Sequence, residues 1–143
     1  MRKRLTLAAV LLATCLAFAA KPDTLQELMA RCDSAKVDDR PALCAEIAER
    51  QLKSADELYT AGKVDEAQSA LKDVVTFSEK AHDGAIQSGK RVKNTEIEFR
   101  KMAAKLRDIK RTVNFEDQPP VQAAADRLES LRTDLLTHMF KGK

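Results

Sequence analysis

Cys32 and Cys44, in the stretch RCDSAKVDDRPALC, are the residues past the N-terminal leader best suited to covalent chemistry, and they stand twelve positions apart. That spacing is neither the CxxC of a dithiol redox motif nor a zinc half-site, and no cluster of histidines completes a metal ligand set. In an oxidising compartment, two thiols so close in sequence are expected to pair, closing a short loop worth about 3 kcal/mol on the chain-entropy view. Free thiols and a redox or metal role are the other readings. The chain's histidines, His82 and His138, lie far apart without evident partners. There is no GxSxG, HExxH, phosphate-binding or dinucleotide fingerprint. The carboxylates are scattered among lysines and arginines at helical spacing, as solvated surface charge is. The expectation is a non-enzymatic protein with no catalytic residue, metal site or cofactor.

The compartment is read from the leader. In MRKRLTLAAVLLATCLAFAA, Arg2, Lys3 and Arg4 form a positive start, Leu5 to Leu16 an uncharged apolar run, and Ala17-Phe18-Ala19 a small-residue cleavage signature. A secretory signal over residues 1–19, cleaved after Ala19, is expected to leave one domain over residues 20–143. An uncleaved anchor and a lipoprotein acylated at Cys15 are the alternatives. Losing Arg2, Lys3 and Arg4 from the 25 basic residues leaves 22, matching the 22 acidic ones. The basic character of the whole chain therefore belongs to the leader and carries no suggestion of nucleic acid. A periplasmic or secreted location follows, with no membrane span after cleavage.

The elements that position the cysteines read as helices throughout. The chain has four Gly, four Pro and no Trp, and it is rich in Ala, Leu, Lys, Glu and Arg. A short helix is expected from about Asp23 to Ala35, and a second from Asp38-Asp39-Arg40-Pro41 to Ala61-Gly62. From Val64 the apolar positions run through Leu71, Val74, Phe77 and Ala81. They resume as Val92, Phe99, Leu106 and Val113, seven apart, with Met102 and Ile109 between. The step of eleven from Ala81 to Val92 keeps the stripe continuous. One long helix over about 64–113, weakened near Gly84 and Gly89, is therefore expected, with two collinear helices as the fallback. Pro119-Pro120 breaks the chain, and Val121, Leu128 and Leu135 mark a last helix antiparallel to the preceding one. The fold class is all-α: an antiparallel helical-hairpin bundle of about four helices, one long, with one disulfide.

Two segments resemble known families. SADELYTAGKVDEAQSALKDV, residues 54–74, resembles a single tetratricopeptide hairpin: Ala55 and Ala67 stand at its close-packing positions, Leu58 and Leu71 at its larger apolar ones, and Gly62 at its turn. The resemblance implies a helix–turn–helix unit and covers these residues alone, without a second copy in the sequence. GKVDEAQSALKDVVTFSEKAH, Gly62 to His82, is similar to the last hairpin of periplasmic four-helix cytochromes of the b type. That likeness implies haem ligation by His82 and Met29, although only one full helix precedes the hairpin here and a long segment follows it.

Charge is distributed unevenly. Residues 90–111 hold nine basic and three acidic side chains. Lys93, Arg100 and Arg107 are seven apart, and Lys90, Lys101, Lys105, Lys110 and Arg111 spread the charge around the helix. One reading is the solvated flank of a helical seam, paired internally. The other is a docking strip formed by Lys90, Lys93, Arg100, Lys101, Arg107, Lys110 and Arg111 for an anionic envelope component or acidic protein. The expectation is thus an exported binding or scaffold protein of the bacterial envelope. A self-associating structural protein, joined through the heptad seam, is the rival, and haem binding the minor alternative.

Overall fold

The computed structural model describes residues 23–141, so the leader, Cys15 and the last two residues lie outside the described part. Five α-helices follow in order: α1 Leu25–Ser34, α2 Arg40–Thr60, α3 Val64–Ser88, α4 Val92–Thr112 and α5 Gln118–Lys141. A single 3-10 turn, Phe115–Asp117, precedes α5, and no strand occurs among the described residues.

Helix α1 is only ten residues long, too short to persist alone in water. A capping box starts it, with Glu27 N–H donating to Thr24 Oγ1 and Thr24 N–H donating to Glu27 Oε2, both at 3.2 Å. Its buried residues are Leu28 and Cys32. The Cys32–Cys44 disulfide, with Cα atoms 5.8 Å apart and both residues fully buried, fastens this helix to the first turns of α2. Pro41 sits in that first turn, where a missing N–H costs nothing.

Helices α2 and α3 form an antiparallel hairpin. Gly62, at φ 75°, closes α2: its N–H bonds to Tyr59 O, while Lys63 N–H reaches back to Leu58 O at 2.9 Å. This is the left-handed helix end that glycine alone adopts without strain. Ala55 and Ala67 are both fully buried, and small side chains there let the two backbones approach closely.

The single helix expected over 64–113 is two helices, and they are not collinear. Gly89, at φ 67°, donates its N–H to Ala85 O and ends α3; Arg91, at φ 60°, then turns the chain before Val92 starts α4. The apolar spacing runs unbroken across this turn because each helix carries a stripe of its own, so periodicity alone conceals the reversal. Gly84, in contrast, is an interior residue of α3. A Cβ there would stand 3.1 Å from Pro41 Cδ, so this glycine makes room for the start of α2.

Helices α4 and α5 form the second antiparallel hairpin. Bonds linking them join residues 36, 22 and 12 apart as the turn is approached: Glu96–Arg132, Arg107–Glu129 and Lys110–Gln122. Bonds between the hairpins keep a nearly constant separation: 52 for Asp38–Lys90, 48 for Glu79–Arg127 and 52 for His82–Asp134. A fixed separation means parallel register. Helix α4 lies alongside α2, α5 alongside α3, and two like hairpins are stacked in the same orientation. The core between them holds Ile47 and Ala48 of α2, Val74 and Ala81 of α3, Phe99 and Leu106 of α4, and Leu128 and Leu135 of α5.

Candidate functional site

The heptad residues come first, because the self-association reading rests on them. Phe99, Met102, Leu106 and Ile109 of α4 and Val121, Leu128, Leu131 and Leu135 of α5 are all buried against the protein's own helices. In this fold those seam residues pack within the chain itself.

Four of the seven basic residues are engaged by neighbouring side chains. Lys90 pairs with Asp38 at 2.6 Å, Arg107 with Glu129 at 3.0 Å, and Arg111 with Asp108 at 3.0 Å. Lys110 donates to Gln122 Oε1 at 2.7 Å, and Lys105 pairs with Asp56 of α2 at 2.7 Å. Lys105 thereby ties α4 to α2, and Arg107 and Lys110 tie it to α5, while Arg111 pairs within its own helix. Lys93, Arg100 and Lys101 are exposed and make no ion pair among the described residues.

Two carboxylates in this region respond to their surroundings in opposite directions. Glu129 accepts from both Arg107 and Arg132, and Arg107 above all holds its carboxyl below the usual range. Burial, reinforced by nearby Glu49, pushes Glu98 upward against the opposing pull of Arg91 and Lys101. Glu96 is only 6% exposed and is satisfied by the Arg132 guanidinium, which donates at 2.7 Å. The chain Glu96–Arg132–Glu129–Arg107 is a polar clip across the second hairpin.

His82 faces α5. Its Nε2 lies 2.6 Å from Asp134 Oδ2 and its Nδ1 3.0 Å from Asp83 Oδ1, with 13% of the side chain exposed. Both ring nitrogens are thus engaged by carboxylates, whereas Met29 packs against the core from α1. His138 is exposed one helical turn beyond Asp134. Among the described residues, no three His, Cys, Asp or Glu side chains are placed to hold a metal ion.

The parallel register creates a feature that the sequence did not announce, a long groove between α3 and α5. Its first half, about 580 Å³, is lined by Leu71, Val75, Pro120, Ala123 and Ala124, with Lys72 and Thr76 at its edge. Its second half, about 320 Å³, is lined by Glu79, His82, Asp83, Ser130, Leu131 and Asp134. Arg127 borders both halves and pairs with Glu79 at 2.8 Å. The chain matches no protein-family model, and no significant match emerges among curated proteins or solved structures. Its surfaces must speak for themselves.

Sequence reasoning overlooked this groove because it requires α5 to lie beside α3, a pairing invisible without the turn at Gly89. One signal was present. The second hairpin repeats the build of the first, with helices of 21 and 24 residues against 21 and 25. No helix among the described residues is long and apolar enough to cross a membrane.

Proposed function

We propose that this chain is an exported, non-enzymatic binding scaffold of the bacterial envelope, holding a partner polypeptide in the groove between α3 and α5. One observation carries the reading: the hairpins stack in parallel register and leave two adjoining depressions along the α3–α5 face, one apolar and one carboxylate-rich, with the Arg127–Glu79 pair between them. Grooves of this kind bind by filling apolar space and fixing orientation with a few polar groups. The leader supports export, as does the buried Cys32–Cys44 disulfide, a bond that persists in oxidising compartments.

Site-specific photocrosslinking in the producing cell tests the binding reading. A crosslinking residue at Thr76 or Ala123 should trap the same polypeptide, whereas one at Thr133, on the outer face of α5, should not. Equal yields from all three positions, or none from the groove, would dismiss it. Signal cleavage has its own readout: the isolated protein should begin after Ala19, and retention of Met1 would rule cleavage out.

A second reading is favoured by Lys93, Arg100 and Lys101, the cations of α4 that stand exposed without an ion pair of their own. An anionic partner docking there should be released by salt over the range in which exposed charges are screened. Reversing all three charges should abolish that binding while leaving groove crosslinks intact.

A further inference from the structure

Resting on the groove reading above, we propose that the partner segment is an extended peptide carrying apolar side chains at one point and a lysine or arginine about five residues further along. The class follows from the two halves of the groove and the distance between them.

The apolar half is a slot with a buried floor. Leu71 and Ala124 are each 3% exposed, Val75, Pro120 and Ala123 form its walls, and the polar side chains of Gln68, Lys72 and Thr76 stand along the α3 edge. Side chains entering from a single strand fill such a slot. A helix would carry the same two groups about ten residues apart, against four or five for an extended strand.

The other half is unbalanced in charge. Glu79, Asp83 and Asp134 bring three carboxylates, against one guanidinium, Arg127, already paired with Glu79. His82 stands between Asp83 and Asp134, and the outer carboxylates remain accessible, Asp83 with 68% and Asp134 with 52% of the side chain exposed. A cation arriving at this end gains carboxylate partners, while an acidic side chain meets repulsion. The complementarity is directional, so apolar and basic groups must come in a fixed order along the groove.

The distance sets the spacing. From Leu71 and Val75 to His82 and Asp83 is about ten residues of helix, about 15 Å at 1.5 Å each. An extended peptide advances about 3.3 Å per residue, so it covers that distance in four or five residues.

Fluorescence anisotropy of labelled peptides on the disulfide-intact protein tests the inference. Each peptide carries Leu-Val-Leu followed by one lysine, with no, three or eight serine and glycine residues between them, so that the lysine stands two, five or ten positions beyond the central valine. The three-residue spacer should bind tightest. Replacing its lysine by glutamate should weaken binding by about threefold to fivefold, the scale of one partly exposed ion pair. Asp83→Asn and Asp134→Asn should erase that preference while leaving the apolar contribution. Ala123→Arg, folded by circular dichroism, should block every peptide. Equal binding of the lysine and glutamate peptides would overturn the basic-segment inference, yet leave the groove reading standing if Ala123→Arg still blocks both. Binding that ignores Ala123→Arg would sink the groove reading itself. Tightest binding with the eight-residue spacer would overturn the extended spacing.

Discussion

Gly84 shows how one missing side chain decides where two helices meet. A Cβ at this position would press on Pro41 at 3.1 Å from Cδ and 3.2 Å from Cγ, a rigid ring that cannot swing aside. Gly84→Ala gains helix propensity but forces α3 away from α2, and the expected outcome is a net loss of about 1–2 kcal/mol, read from urea unfolding. An unchanged midpoint would mean the helices slide past each other freely. Glu98 supplies a prediction of the opposite sign. Its folded pKa is raised by burial, so its protonated form suits the fold, and that benefit is lost as pH rises through the raised value. Glu98→Gln should therefore stabilise the protein near neutral pH by a few tenths of a kcal/mol after solvent screening, and by nothing below the ordinary glutamate value of about 4.3. Glu129 works the other way: its folded pKa is lowered, so its contribution is complete above about 4.3 and fades as pH falls through the folded value.

Among the elements, α1 and the second hairpin are held by unlike means. Helix α1 contributes two buried side chains, Leu28 and Cys32, and depends on its link to α2. Replacing both cysteines by serine should cost about 3 kcal/mol and expose α1 amides to rapid hydrogen exchange, while α2 and α3 remain protected. Uniform loss of protection would show that α1 instead holds the whole fold together. Helices α4 and α5 are joined by the Glu96–Arg132–Glu129–Arg107 clip over an apolar seam. Arg132→Ala should leave nearly buried Glu96 unpaired and cost about 2–3 kcal/mol, most of it recovered by adding Glu96→Gln. The pair measured together by thermal unfolding provides the check, since failure of the second change to restore stability would deny the coupling.

At this scale much was legible in the sequence. Pro41, Gly62 and Pro119-Pro120 mark real helix ends, and Val121, Leu128 and Leu135 form the buried stripe their spacing announced. The Cys32–Cys44 pairing is present. Gly84 and Gly89 marked a weak place in the long helix, but the reversal at Gly89 was not legible, because a left-handed residue leaves the seven-residue rhythm intact. The basic residues of α4 were legible only in part, for a related reason. Their number is visible in sequence, but whether Lys90 or Arg107 is spent on Asp38 or Glu129 depends on which helix lies opposite.

For the whole molecule, stacking in parallel register turns two ordinary hairpins into one body with distinct ends. The first hairpin is covered by α1. The second presents polar side chains outward, among them Lys93, Arg100, Asp126 and Thr133. Stacked hairpins need such ends, because any apolar outer face would recruit another unit. The groove candidates Leu71, Val75, Ala123 and Ala124 could not have been grouped from sequence, since they come from different hairpins and meet only after docking.

Three residues, Gly89, Lys90 and Arg91, separate the last turn of α3 from the first of α4. So short a span acts as a gauge, setting how far one hairpin can slide or tilt against the other and hence how wide the α3–α5 cleft opens. A longer connection would free that spacing without touching any residue that lines the cleft. Evolution or an engineer could then retune what fits there from a position on no binding surface.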